Sequence, residues 1–584
     1  MVRDFIAAWS FSFDLMPDSL TTEDRDRRVA EIYDRVLEIE QRLIPTGLHI
    51  FGRPPGLNQL TPLLQMVASF DRYDGDEQKA RALTDLVAEA LGLPPYSELI
   101  KQTAIANREQ VESIVGEAVA RFLQYGPDYA ADYLMAEAAV PPDESARVFQ
   151  VLSRVREQLQ IDHELDGLVR ALKGEYVEPG PGADIIQNPD VLPTGRNTHA
   201  VNPYVIPSAI AVRRAGPVVQ ALLERHLSEA GRYPETMAMV LWGIDNIKTQ
   251  GEAVAQALCL MGVTPRRDGL NRATDVDVIP LGRLGRPRID VVMTVSGIFR
   301  DLFGSTMALL DRAVRTVAAL DEPDELNFVR RHVIQQKDLS FDESAIRVFS
   351  NAAGNYGTNV NFMVLDSQWE SAAELGDLFV ARKCFAYGRG IEARPARELM
   401  DRALARVELT YQNVDSTEIG ITDVDHYFEY LGGVSKAVEK RAGARPAIYL
   451  SDSTAPAAKV RTLEETVRLE TRTKTLNPKW YEGMLRHGFS GVAEIEHHVT
   501  NTFGWSATAE AVDKWIYDEV ARTFVLDEEM LARLSKLNAH SARSMVGRLL
   551  EASGRGLWAA DAETLDRLRE AFERLEDKLE GVVA

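Results

Sequence analysis

The sequence predicts a mixed α/β and α fold of several subdomains: a helical amino part, a parallel-sheet α/β core, and a largely helical carboxy part. Three observations carry this. At 584 residues the chain is too long for one ordinary hydrophobic core. Apolar residues recur at helical spacing through much of residues 20–175 and 451–584. Between those regions, short β-branched runs alternate with amphipathic stretches, the pattern of a parallel sheet covered on both faces.

The elements follow in chain order. Glu23–Leu43 spaces Val29, Ile32, Val36, Ile39 and Leu43 as one helix face, with Thr21 or Thr22 as N-cap and Pro45 and Gly47 as the stop. Gln78–Leu91, Arg108–Leu123 and Ala146–Leu172 repeat the pattern, the last after the helix start Pro141-Pro142-Asp143. Region 1–175 is therefore read as helical. Region 176–304 opens on a Pro- and Gly-rich loop, Tyr176–Asn202, and then alternates. Helix Ser208–Ala230 precedes the apolar run Met237–Trp242. Helix Gly251–Met261 separates it from the runs Val276–Leu281 and Ile289–Val295. Trp242 is expected to end a buried strand, so that its truncation costs ~3–5 kcal/mol. Region 305–450 is read as mixed α/β, helical at 305–338 and Asn- and Gly-rich at 345–363; the remainder of the chain is mostly helical, with a strand-like Ala447–Leu450. Region 451–584 is read as helical, ending in the charged amphipathic stretch Ala560–Leu579.

Composition excludes several functions. The net charge of −22 lacks the basic footprint a nucleic-acid surface needs. Two cysteines, Cys259 and Cys384, make neither a disulfide framework nor a Cys-rich zinc site, which points to a reducing, cytoplasmic compartment. No stretch approaches the ~20 apolar residues of a membrane span. Asp4 and Asp14 interrupt the amino terminus, so no signal peptide is expected. No GxxxxGK[ST] loop is present, so any ATP consumed is bound by another polypeptide.

In a doubly covered parallel sheet, ligands sit at the carboxyl ends of the strands. Those ends carry Asp245 and, just beyond it, Glu252, and then Arg300 and Asp301. The acids suit proton transfer, and Arg300 suits a bidentate contact to a ligand carboxylate. Capping and salt bridges are the competing reading. The loop Asn188–His199 sets Asn197 and His199 among prolines and glycine, a candidate site wall with His199 as a neutral proton acceptor. A structural crossover reads it equally well. Asn351–Asn361 offers amide oxygens, including Asn355, that suit Mg²⁺ with retained waters, although turn chemistry explains asparagines as readily. Adjacent His497 and His498 diverge by about 100° on a helix, so they do not share one metal. Glu494 and His498, four apart, are read as a solvated pair. Metal ligands are otherwise unassigned.

Several of these segments carry a family resemblance. NPDVLPTGRNTHAVNPYVIPSA, YPETMAMVLWGIDNIKTQGEAVAQAL, LGRPRIDVVMTVSGIFRDLF, RVFSNAAGNYGTNVN, ITDVDHYFEYLGG and ETRTKTLNPKWYEGML resemble successive blocks of the large chelatase subunits. These are the magnesium chelatase large (H) subunit and the related cobaltochelatase large subunit. WGIDNIKTQGE and GRNTHAVNPYVIPSA resemble the magnesium branch more closely. The resemblance implies the carboxy-terminal half of a subunit that binds protoporphyrin IX and inserts Mg²⁺ in (bacterio)chlorophyll synthesis. It implies ATP hydrolysis by an AAA+ partner, a bridging third subunit, and a cytoplasmic place, free or peripheral to photosynthetic membranes. Family members carry His-Gly-x-x-Glu and then Pro-Gly-Lys in a longer amino part. His487-Gly488, the only His-Gly here, lacks the residues that follow. A separate polypeptide supplying that half is therefore an expected partner. Two alternatives stay open: cobalt insertion into a corrin, and a non-catalytic tetrapyrrole-binding scaffold. If the loops line a cleft, His199→Ala and Glu252→Gln should reduce chelation more than thermal stability.

Overall fold

A computed structural model describes Thr21 and residues 50–74, 77–99, 105–182, 185–186, 189–199, 202–416, 419–452 and 459–582. The helix expected at Glu23–Leu43 lies outside them. The chain forms two units, one holding Thr61–Arg72 and Gln78–Arg154, the other including Val155–Ala584.

The first unit is mainly helical. Ile105–Tyr125 buries Val111, Val115, Ala118, Val119 and Phe122, spacings that fall on one helix face. Phe122 stacks on Phe149, ring centroids 5.5 Å apart. Gly126, at φ +99°, turns the chain into Pro127–Ala138, where Pro127 occupies the first turn and needs no N–H partner.

The second unit is built on an eight-stranded sheet. Its strands are β1 (Thr236–Leu241), β2 (Asp290–Val295), β3 (Val348–Ser350), β4 (Phe385–Gly388), β5 (Ile391–Pro395), β6 (Leu409–Val414), β7 (Ala447–Asp452) and β8 (Lys459–Thr462). They lie in the order β5-β4-β3-β2-β1-β6-β7-β8. The five central strands, β3 to β7 across the sheet, are parallel, and the outer strands pair antiparallel. Alternation assigns the faces. Met237, Met239 and Leu241 of β1 join Val291, Met293 and Val295 of β2 in one core. Ala238, Val240 and Val292 face the other. Helices α1 (Ala209–Ala230), α2 (Glu252–Met261) and α3 (Gly304–Ala318) supply residues to the first core. Helices α4 (Ala372–Lys383), α5 (Gly433–Ala442) and α6 (Phe489–Ala509) supply the second.

One expectation is corrected and another is refined. The Val276–Leu281 run is not a sheet strand: Ala273–Val278 pairs antiparallel with Val263–Arg267 in a separate hairpin. Arg266, Asp275 and Asp277 give that hairpin a charged, exposed side, so it has only one face to bury. The stretch after 363 is mostly helical as expected, but β4, β5 and β6 also fall within it. Every residue of β6 is buried, yet Thr410, Gln412 and Asn413 give it a polar composition that hid it from an apolar-run reading. No helix among the described residues is long and apolar enough to cross a membrane.

Candidate functional site at the carboxyl edge of the sheet

Chain order reverses direction between β1 and β6: β2 and β3 extend to one side of β1, β6 and β7 to the other. The strand ends diverge there and leave room for a ligand. The turn after β1 approaches the turn after β2 so closely that position 243 admits only glycine. A Cβ there would lie 2.5 Å from Ile298 Cγ2 and 2.7 Å from the Phe299 nitrogen. The Gly243 N–H donates to Ser296 Oγ at 3.0 Å, fixing the two turns together.

Carboxylates gather at this point. Asp245 and Glu252 are buried, and Asp415, just past β6, is buried and pairs with Lys248 Nζ at 3.0 Å. Burial raises the Asp245 carboxyl well above its ordinary range, and the charges of Asp415 and Glu252 push it further. Burial raises Glu252 to about 7, against Arg214 and the Gln256 amide. Tyr411 O–H lies within hydrogen-bond distance of Gln256 Oε1 at 3.0 Å, Asn413 Oδ1 at 2.9 Å and Ser451 Oγ at 2.6 Å. Glu252 Oε2 and Gln412 Nε2 are buried without a hydrogen-bond partner, and the Asn413 side chain only partly offsets the burial of Asp245. Unpartnered buried polar atoms are rare in native structures, and a group of them marks a place suited to a polar ligand.

The neighbouring turn holds the second group. Arg300 donates through Nη1 to the carbonyls of Ala352 at 2.8 Å and Asn355 at 2.7 Å, and through Nε to Asp301 Oδ1 at 2.7 Å. Tyr356 O–H donates to Asp301 Oδ2 at 2.7 Å, and the Arg300 guanidinium lies 5.3 Å from the Tyr356 ring centre. Only Nη2 of Arg300 is unpartnered, so the bidentate ligand contact expected of it is not available in this arrangement. Asn355 joins the network through its backbone carbonyl rather than its amide. Hydrogen bonding to Arg300 lowers the Asp301 carboxyl, against a smaller effect of burial. Beneath lies Lys383, fully buried, with Nζ donating to the Val295 carbonyl at 2.7 Å and resting 4.0 Å from the Tyr430 ring centre. Burial drives its ammonium well below the usual range.

The rim is apolar and open. Ile244 is 52% exposed, Ile298 39% and Tyr356 54%. They are contiguous, since Ile298 packs against Gly243 and the Tyr356 ring against Gly297. Trp242, two residues before Ile244, packs against the second core but is not fully buried, whereas the end of a buried strand was expected to be. It is half-buried, its indole donates to Gln412 Oε1 at 3.1 Å, and it contacts the rings of Tyr427 and Tyr430.

Of the four polar turns singled out in sequence, 243–252, 296–301 and 351–361 therefore meet. The fourth, 188–202, is not among them; it is the segment that follows it, Ile206–Ser208, that reaches this edge. Ser208 N–H donates to the Gln250 carbonyl at 2.9 Å, and Gly251, at φ +92°, is packed against Ile206 and Pro207. The backbone of Asn197–His199 pairs with Pro179–Pro181. The side chains of Asn197 and His199, and all of Asn188, lie outside the described residues.

Sequence reasoning missed Gln412, Asn413, Asp415 and Lys248, and it misread His498. That histidine is not solvated: it is fully buried against Asp423, while its neighbour His497 is exposed. The overlooked signal was the spacing of His498, Asn501 and Trp505, three polar-tipped side chains on one helix face. Among the described residues, no group of three or more His, Cys, Asp or Glu side chains is arranged to hold a metal ion.

Comparison with known proteins defines the class. A family model described as CobN/Magnesium Chelatase matches residues 2–565, and the chain belongs to that family. Among its relatives, the chloroplastic magnesium-chelatase subunit ChlH of Oryza sativa subsp. indica is 43% identical over 601 residues, covering 96% of this chain and 43% of that protein. The magnesium-chelatase H subunit of Cereibacter sphaeroides is 47% identical over 451 residues, covering 76% and 37%. A solved structure, the catalytic subunit of cobaltochelatase from Mycobacterium tuberculosis, superposes with a TM-score of 0.88 at 33% identity, covering 98% of this chain and 49% of that one. The chain thus spans somewhat under half the length of the relatives it matches.

Proposed function

We propose that this chain is the carboxy-terminal half of the large subunit of an ATP-dependent magnesium chelatase, and that it inserts Mg²⁺ into protoporphyrin IX. The observation that carries the reading is the pair Asp245 and Glu252, buried, incompletely hydrogen-bonded and raised in pKa, beside an open apolar rim. A flat tetrapyrrole needs both. Its edges favour Ile244, Ile298 and Tyr356. Its two pyrrolic N–H groups must lose protons as Mg²⁺ binds, and a carboxylate poised near neutrality accepts a proton and releases it again. Mg²⁺ is substrate here, brought in with waters that oxygen ligands replace one at a time. Asp245 and Glu252 are assigned as proton acceptors, with His199 as a further candidate. Asn197, Arg300, Asp301 and Asn355 are assigned to the wall. ATP is hydrolysed by an AAA+ partner, with a bridging subunit between.

The test is reconstitution. The chain is combined with an amino-half polypeptide, both partner subunits, ATP, Mg²⁺ and protoporphyrin IX, and Mg-porphyrin absorbance is followed. Formation of product, lost on Asp245→Asn, is expected. Porphyrin binding without product would leave a scaffold. Product with Co²⁺ and a corrin, but not with Mg²⁺ and a porphyrin, would move the chain to the cobalt branch.

A further inference from the structure

The loop 351–361, which supplies part of the proposed wall and rim, is anchored from two sides. One anchor is the Arg300 network. The other is a π-helical turn, Phe428–Gly432, with the helical turn Asp425–Tyr427 before it. Such π turns are rare and fall frequently at functional sites. This one presents Glu429, which is fully buried. Its Oε1 accepts from the Thr358 N–H, from Thr358 Oγ1 at 2.9 Å and from the Asn359 N–H at 3.0 Å. Its Oε2 lies 2.8 Å from His426 Nδ1. Neighbours on the same turns complete the grip. Tyr430 O–H donates to the Tyr356 carbonyl, and Asn361 Nδ2 donates to Asp425 Oδ2 at 2.6 Å.

The loop is shaped to receive this carboxylate. Asn359 stands in the left-handed region at φ +63°, which asparagine tolerates, and its N–H converges with that of Thr358 on one oxygen. Position 357 leaves little room for a side chain, since a Cβ there would lie 3.1 Å from Glu429 Oε1. Burial by itself would raise the Glu429 carboxyl, but hydrogen bonds from His426 and Thr358 outweigh it and hold the carboxyl below its ordinary range. A buried carboxylate with partners on both oxygens is matched and needs no ligand to complete it. Glu429 therefore differs from Glu252. It is not placed to take a proton, but to hold what it binds.

What it holds bears directly on the proposed site. Only Gly357 separates Thr358 from Tyr356. The Tyr356 ring lies so close to Gly297 that a Cβ at 297 would meet Tyr356 Cδ1 at 2.5 Å, and its hydroxyl reaches Asp301 at 2.7 Å. That bond is exposed, whereas the Glu429 contacts to Thr358 are buried, and burial strengthens a hydrogen bond. The hold at 358–359 thus does more to place the ring. Asn355, one residue before Tyr356, gives its carbonyl to Arg300. We propose that Glu429 is a positioning residue, fixing through Thr358 and Asn359 the loop that sets Tyr356 on the rim and Asn355 in the wall. The positioning role rests on the function proposed above; the hold on the loop does not.

The test has two arms. In hydrogen-exchange mass spectrometry on the full chain, Glu429→Ala should speed exchange at 358–359 about tenfold or more while β1 stays protected. Glu429→Gln, which keeps an acceptor at Oε1, should restore most of that protection. Unchanged exchange at 358–359, or loss of protection in β1 as well, overturns the hold. In protoporphyrin IX titrations read by fluorescence, Glu429→Ala and Tyr356→Ala should each weaken binding about tenfold, and the double variant should be no more than about twofold weaker than Tyr356→Ala alone. Unchanged affinity in Glu429→Ala, or fully additive losses in the double variant, overturns the positioning role. If the unmutated chain binds no porphyrin, the proposed function falls and the positioning role with it, while exchange at 358–359 still decides whether Glu429 holds the loop.

Discussion

The two ends of the parallel sheet treat buried carboxylates in opposite ways. At the amino end, Asp290 opens β2 with both oxygens matched: Arg347 Nε and Nη2 reach them at 2.8 and 3.0 Å, and His332 Nδ1 lies at 3.0 Å. Burial pushes its carboxyl up, but Arg347 and then His332 outweigh burial and hold it at about 2. At the carboxyl end, Asp245 and Glu252 are as deeply buried, neither has a cation paired to it as Asp290 has, and both are raised. Equal burial therefore does not mean an equal role. A matched carboxylate stabilises the fold, whereas an unmatched one costs stability and is kept where a ligand completes it.

The sharpest way to break this contrast is at the amino end. Arg347→Ala leaves Asp290 charged, buried and short of its main partner, and should destabilise the chain by ~3–5 kcal/mol in denaturant titrations. The pH dependence has a definite sign. Because the folded carboxyl is depressed, its contribution is present above the ordinary value near 4 and is lost as pH falls from there towards about 2. In Arg347→Ala that acid limb should flatten. A variant as stable as the parent, with an unchanged acid limb, would show that Asp290 is not matched in this way.

At the carboxyl end the sign reverses. Glu252 is raised from 4.5 to about 7, so the stability present below pH 4.5 is lost as pH rises to about 7. That gap corresponds to roughly 3 kcal/mol as an order of magnitude. Glu252→Gln should therefore be more stable than the parent near pH 8 by up to that amount and close to it near pH 4.5. Insertion by the parent should rise with pH through about 7, and the glutamine variant should lose activity despite its added stability. A variant that is both less stable and less active would return Glu252 to a structural role.

Much of this contrast was legible in the sequence, but unevenly. The acids of the 243–252 and 296–301 turns stood out because β1 and β2 are apolar on both faces, and such strands announce where they end. The residues opposite them did not. Gln412, Asn413 and Asp415 come from β6 and the residues just past it, a central strand whose polar side chains point into a site rather than into an apolar core, so the feature that makes it functional also masked it. His498 failed differently. Its partners Thr422 and Asp423 lie 76 and 75 positions away, and local spacing carries no information at that range. Asp290 and Arg347 were invisible for the same reason.

Trp242 gives the smallest expected effect and tests the boundary between the two regimes. It follows the last residue of β1, and in sequence it reads as the end of a buried strand. In the fold it is half-buried, with its indole N–H on Gln412 and its ring against Tyr427 and Tyr430. Trp242→Phe keeps an aromatic ring and removes one hydrogen bond, so the stability cost should be about 1 kcal/mol, well below that of a core truncation. It also leaves the Gln412 amide without its indole partner beside the Asp245 cluster. Porphyrin affinity, read by fluorescence titration, should therefore fall by a larger factor than the stability loss implies. A cost of several kcal/mol with unchanged affinity would place Trp242 in the core, and would move the edge of the site inward from the rim formed by Ile244, Ile298 and Tyr356.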